Sequence, residues 1–235
     1  MSDPFNVILR APAQKLERKV WADRVLGVLG ALRELTGNAP FQGYRGDLPV
    51  TVPPERPAIE GLIDANRNTE AGQVFEDLGS AFAIGCTYPP GDPDENNITA
   101  QFTVATTNPK FHNALTVSVN DQVPYAQVRR LFEAVIPIWR PHWGCVSSTV
   151  NQRQRRGDEV AFDDRLHWCT YFGPEKKAFR HFEVLERTPG VTVRRIYDGV
   201  EVILGEWTSP EDLLAEQRRL EPEFLQGSRG AAQRS

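Results

Sequence analysis

Between Val128 and Phe172 the chain concentrates its bulkiest side chains, and any fold it adopts must bury them. The run VRRLFEAVIPIWRPHWGCVSS, followed after a polar loop by LHWCTYFG, holds three of the five tryptophans and two of the three cysteines. Val128, Leu131, Phe132, Val135 and Trp139 recur at helical spacing and form one apolar stripe. Pro124 can open that helix without losing a needed donor. Pro137 is expected to kink or end it, since its ring opposes the carbonyl four residues back and it offers no N–H. Pro141 and Gly144 then break the chain before Cys145 and Val146 begin a short extended segment. LHWCTYF is rich in aromatic and β-branched types and reads as a strand. At period two, His167, Cys169 and Tyr171 share one face, and Leu166, Trp168, Thr170 and Phe172 the other. Bulk on both faces predicts an internal strand.

The remaining segments fit around this centre. FNVILRAP alternates and predicts a first strand ending at Pro12. From Gln14 to Leu35 the spacing of Leu16, Val20, Trp21, Val25, Val28, Leu29, Leu32 and Leu35 predicts a long helix. Gly27 and Gly30 in that helix are either close-approach positions or weak spots costing about 1 kcal/mol each. Gly37 and Asn38 supply its stop. Residues 40–57 hold five prolines and read as an irregular connection with one extended piece near Leu48 to Val52. A second helix starts at Pro57 and runs through Ile59, Leu62 and Ile63, and the type of Phe75 to Leu78 stays open. SAFAIGCTY, ITAQFTVATT and NALTVSVND predict strands, with PPGDPDENN an acidic turn. STVNQRQRRGDEVAFDDR reads as an exposed loop or irregular hairpin.

In VTVRRIYDGVEVILGEW the dipeptide Asp198-Gly199 predicts a two-residue hairpin turn. That register pairs Tyr197 with Val200, Arg195 with Val202 and Val193 with Leu204. It places Tyr197 on the inward face with Val191, Val193, Val200, Val202 and Leu204, and leaves Thr192, Arg194, Glu201 and Ile203 at least partly wet. Ser209-Pro210-Glu211-Asp212 spells a helix start. Leu213, Leu214, Leu220 and Phe224 dock that helix, and Pro222 is expected to close its regular part. The whole predicts an α+β fold, a mostly antiparallel sheet flanked by helices. It is read as a single domain over residues 1–226 with a disordered tail at 227–235.

Several function classes recede on composition. The 235 residues are 40% hydrophobic and 25% charged, as in ordinary globular proteins. A formal charge of −4 argues against direct nucleic-acid binding. No apolar run reaches the ~20 residues a membrane helix needs, and the N-terminus shows no signal peptide. An odd, scattered set of three cysteines fits reduced thiols in the cytoplasm. His142, Cys145, His167 and Cys169 could form a tetrahedral zinc site or a thiol–imidazole enzyme centre. The alternative is core-facing thiols and locally satisfied imidazoles, which the spacing favours, so no metal or other cofactor is expected.

IWRPHWGCVSS (138–148) and LHWCTYFGP (166–174), followed by the hairpin and last helix, resemble the immunity-protein-52 family. The opening strand and helix, and ALTVSV ahead of the central helix, share its layout. The resemblance implies a non-enzymatic protein that neutralises a cognate bacterial toxin by binding it. Such toxins are polymorphic or type VI secretion effectors, often with a restriction-endonuclease-like nuclease domain. It carries no catalytic residues across. A nuclease site attracts phosphates, so acids on an inhibitor would steer association and occupy it. The candidate partner-binding residues are Asp92, Asp94 and Glu95 in one loop and Asp158, Glu159, Asp163 and Asp164 in another, with Phe162 as an apolar anchor.

Overall fold

In a computed structural model the structure is described for residues 4–37, 39–45, 48–70, 73–89, 97–158, 160–177, 182–205 and 210–231. The fold is α+β, with antiparallel ladders and packed helices, as the sequence predicts. Its contacts group into two compact units, residues 1–141 and 142–235.

The first unit opens with β1 (Phe5–Ala11) and α1 (Arg18–Thr36). A short hairpin follows, β2 (Gln42–Arg45) and β3 (Leu48–Thr51), in a stretch where the prolines predict only one extended piece. Next come α2 (Arg56–Ala65), a two-residue ladder of β4 (Thr69–Glu70) and β5 (Gln73–Val74), and a 3-10 turn at Glu76–Leu78. The unit closes with β6 (Ser80–Thr87), β7 (Asn97–Val104), β8 (Asn113–Val119) and α3 (Tyr125–Trp139). Its strands lie in the order β1-β8-β7-β6-β2-β3, each described pair antiparallel.

One face of β1, β7 and β8 is buried because the alternation is period two: Val7 and Leu9 on β1, Leu115 and Val117 on β8, and Ala100 and Phe102 on β7 are 0–1% exposed. Helix α1 buries Trp21, Val25, Val28, Leu29 and Leu32, and α3 buries Val128, Leu131, Phe132, Val135 and Trp139. Their meeting explains one glycine. A Cβ on Gly27 would sit 2.9 Å from Ile138 Cγ2, whereas one on Gly30 would meet nothing within 4 Å. Gly27 is a close-approach position and Gly30 a weak spot. Pro137 does not end α3, which runs on to Trp139. The reason is tertiary: the Trp139 ring is fully buried, 5.9 Å from Trp21 and 6.1 Å from Phe102. Arg140, at φ 55°, then closes the helix by donating its N–H to Ile136 O.

The second unit holds β9 (Trp143–Ser148), α4 (Thr149–Gln154), β10 (Cys169–Phe172), α5 (Pro174–Lys177) and α6 (Phe182–Glu186). It ends with β11 (Thr192–Ile196), β12 (Gly199–Ile203) and α7 (Pro210–Ala231). The strand order is β11-β12-β10-β9, again antiparallel. Strand β10 lies inside this ladder with all four residues buried, as its two-sided bulk requires. Helix α7 passes through Pro222 and continues to Ala231, so residues 227–231 are helical where a tail is expected. Leu220 and Phe224 are buried on either side of that proline and hold the helix across it. Ser209, the N-cap expected from the sequence, lies outside the described residues.

The β11–β12 hairpin departs from the predicted register. The observed pairs are Val193↔Val202, Arg195↔Val200 and Ile196↔Gly199, so the turn is Tyr197-Asp198. A shift of one turn residue moves each partner by two, which preserves the faces. It nevertheless places Tyr197 at the tip, 63% exposed instead of inward. Glu201, expected to be partly wet, is fully buried. The cause is Gly199: a Cβ there would lie 2.5 Å from Phe172 O and from the Tyr171 ring. Glycine is needed inside the strand and is therefore not available to the turn.

Candidate functional site

The segment expected to be an exposed loop, residues 148–165, is tied into the second unit by side-chain bonds. Ser148 caps α4 by accepting the Asn151 N–H at 3.1 Å, an arrangement a Ser-Thr-x-Asn start allows. The helix brings Arg155 inward, with 1% of its side chain exposed. Arg155 Nη1 and Nη2 donate to Glu221 Oε1 and Oε2 at 2.9 and 2.6 Å, and Nε donates to Asp158 Oδ2 at 2.7 Å. Nη1 also reaches Leu166 O at 3.2 Å, and Glu221 Oε1 accepts the Leu166 N–H at 2.7 Å. Arg165 ties the intervening loop together by donating to Val160 O and Asp158 O. An exposed loop would leave Arg155 in solvent, and the fold instead buries it. No local signal separates it from Arg153 or Arg156, because its partner Glu221 stands 66 positions away.

These contacts already use the acids singled out for partner binding. Asp158 accepts from Arg155 and from Arg218, the latter at 3.0 Å. Burial opposes its ionisation, yet those two guanidinium bonds outweigh burial and hold its carboxyl below the usual range. Burial likewise opposes the charge on Arg155, but Glu221 and Asp158 raise its pKa above the ordinary arginine value. Asp163 Oδ2 lies 4.0 Å from His142 Nε2, and Asp164 accepts from Lys176 Nζ at 3.2 Å. The side chains of Asp158, Asp163 and Asp164 are 15%, 13% and 32% exposed. Phe162 is half-buried, its ring 5.2 Å from Trp143 and 5.0 Å from His167. Asp92, Asp94, Glu95 and Glu159 lie outside the described residues.

The His/Cys quartet does not converge. In the β9–β10 register Cys145 pairs with Thr170 and Cys169 with Val146, so the two thiols take opposite faces. His167 is buried in a cage with Trp143, at 5.6 Å, and Phe162. Burial, followed by the nearby Arg155 charge, pushes its pKa down to about 3, against a smaller opposing pull from the Phe162 backbone. The imidazole is neutral at ordinary pH. Cys169 Sγ donates to Glu201 Oε1 at 3.2 Å, and Glu201 also pairs with Arg194. Cys86, Cys145 and Cys169 are all buried, and burial raises the Cys86 thiol. A buried thiol is a poor nucleophile. The zinc and thiol-enzyme readings built on these four residues therefore lack their geometry.

The hairpin tip is a feature that the predicted register hid. Tyr197 adopts φ 52°, and Tyr171 Oη donates to Asp198 Oδ1 at 2.8 Å across the neighbouring strand. Burial and then Asp198 push the Tyr171 phenol upward, so it stays a donor.

Among solved structures, the chain is similar to the Pseudomonas aeruginosa T6SS protein PA0821. The TM-score is 0.58 at 13% identity, with 95% of this chain and 76% of that one covered. At that identity the likeness shows a shared fold. No family model and no curated protein matches the chain. Among the described residues, no helix is long and apolar enough to cross a membrane.

Proposed function

We propose that this chain is an immunity protein that binds a type VI secretion effector and blocks its activity, as members of the immunity-protein-52 family do to nuclease-type toxins. The observation that supports this most is the likeness, over 95% of the chain, to a protein described as belonging to that secretion system. The segments 138–148 and 166–174, which carry the family resemblance, form the end of α3, β9 and β10, where Trp139, Trp143, Cys145, Cys169 and Phe172 are 0% exposed. They are scaffold, as expected of a protein that acts through its surface. Neutralisation by binding rather than by turnover agrees with the separation of Cys145 and Cys169 onto opposite faces.

In this reading the chain acts in the cytoplasm, needs no cofactor, and meets its toxin as a folded protein rather than through nucleic acid. Asp158 and Asp164 shape one loop through ion pairs with Arg155, Arg218 and Lys176, and Asp163 lies beside His142, while the acids at 92–95 and Glu159 supply the charge proposed to steer encounter. The test is co-expression of each effector gene adjacent to this one, with and without the chain, scored by survival. Rescue from one such effector is expected. Equal killing by every adjacent effector in both strains refutes the reading.

A further inference from the structure

We propose that the cavity between α1 and α3 is a binding site for a small zwitterion with an apolar body, the chemistry of a free amino acid or dipeptide with aliphatic or aromatic side chains. The site lies within the first unit and does not depend on the toxin-binding reading. Its volume is about 300 Å³, at the lower end of the range for small-molecule pockets. Ala31 and Leu35 on α1 and Leu131 and Ala134 on α3 supply apolar walls. Leu131 is buried at the base, and the two alanines leave open the space that longer side chains would fill.

The charges at this cavity set it apart from the helix surfaces around it. Glu34 lines it from α1 and Arg130 from α3. Among the described residues, neither has a hydrogen-bond or ion-pair partner, and they do not pair with each other. Nearby charges are used by the fold: Arg18 pairs with Asp64, Asp23 with Arg56, and Arg129 with Glu133. Glu133, three residues on from Arg130, is thus engaged by Arg129, and Ala126 and Ala134 occupy the four-residue spacings. Gln127 and Tyr88 add an amide and a phenol to the lining. Asn120 Nδ2 holds Tyr88 in place by donating to its carbonyl O at 2.7 Å.

A lone charge on a helix is ordinarily just solvated. A carboxylate and a guanidinium on two packed helices, lining one cavity with apolar walls, can instead fix the two ends of a ligand. Charge complementarity assigns those ends. An ammonium group faces Glu34, and a carboxylate faces Arg130, whose planar fork matches it with two parallel bonds. The apolar body then lies against Leu35 and Leu131. A simple anion would meet repulsion from Glu34, and a simple cation repulsion from Arg130.

The experiment is titration calorimetry of the full-length chain with leucine, phenylalanine and the dipeptide leucyl-phenylalanine at millimolar concentration, each beside its N-acetyl and C-amide derivatives. At least one free zwitterion is expected to bind, and blocking either of its charges to weaken it by about tenfold or more. Glu34→Gln should weaken the zwitterion by a similar factor and leave its N-acetyl form unaffected. Arg130→Met should likewise weaken the zwitterion and spare the C-amide. Ala134→Leu keeps both charges and fills the cavity, so it should abolish binding in a chain whose thermal melt matches the parent. No heat from any of the three zwitterions overturns the inference, as does binding that neither charge variant weakens. Binding that depends on only one of the two charges overturns the zwitterion assignment. Survival of effector-challenged cells tests the toxin-binding reading separately, so the two can fail independently.

Discussion

Replacing Glu221 by glutamine tests the energetic centre of the second unit. The carboxylate accepts two guanidinium N–H groups from Arg155 and the Leu166 amide, with 4% of its side chain exposed and 1% of that of Arg155. Each charge-assisted bond contributes about 1.5–3 kcal/mol. In Glu221→Gln an amide N–H faces the Arg155 guanidinium, and a buried cation loses its nearer counter-charge. The relief of not burying a carboxylate offsets part of this, leaving a net loss of about 3–5 kcal/mol, the range for breaking one side of a buried pair. Asp158 still contacts Arg155 and places the result toward the lower end. Urea unfolding at neutral pH, followed by tryptophan emission, measures it. The double variant Arg155→Met/Glu221→Leu should cost less than Glu221→Leu alone, because no buried charge is then stranded. A Glu221→Gln loss below about 1 kcal/mol would falsify the reasoning that this pair holds α4, α7 and the loop between residues 155 and 166 together.

Acid should weaken the same unit. The folded pKa of His167 is about 3, against an ordinary value of 6.5. Between those values the unfolded chain binds a proton that the folded chain refuses, so stability falls on acidification by about 1.4 kcal/mol per pH unit. Roughly 3 kcal/mol is lost by pH 4.5, and Asp158, with its depressed pKa, adds to the loss as pH falls further. His167→Phe should flatten the upper part of that profile; an unchanged slope between pH 6.5 and 4.5 contradicts the account. Gly199→Ala is expected to cost more than about 2 kcal/mol by chemical denaturation, because backbone as well as a ring would have to move. Gly30→Ala, with open space around it, should stabilise by up to about 1 kcal/mol, while Gly27→Ala should not; equal effects at the two positions contradict the α1–α3 packing. Under native conditions a thiol reagent should label Cys86, Cys145 and Cys169 slowly, at the rate of unfolding. Fast modification of any of them reopens the thiol chemistry.

Much of the fold was legible because it follows period and bulk. The alternation in FNVILRA and NALTVSV specified strands, the spacing from Trp21 to Leu32 specified a helix, and bulk on both faces of CTYF specified an internal strand. What escaped depends on distant partners. Arg155 looks like its neighbours until Glu221 is brought to it. Pro137 and Pro222 obey local rules that Trp139, Leu220 and Phe224 override by packing. The hairpin slid by one turn residue because Gly199 answers to Tyr171 and Phe172 rather than to the turn. The candidate site suffered from the same limit. Residue types marked Asp158, Asp163 and Asp164 as acids, but only the fold shows Asp158 beside Arg155 and Arg218, and Asp164 beside Lys176.

The central claim, that this chain is a surface-acting inhibitor of a secreted effector, is tested most directly by mixing it with the purified adjacent effector. Enzymatic activity is followed as the chain is added. Activity should fall linearly to zero at a fixed stoichiometric ratio, with a complex isolable by size exclusion. Full effector activity in an excess of folded chain, with the two eluting separately, would contradict it.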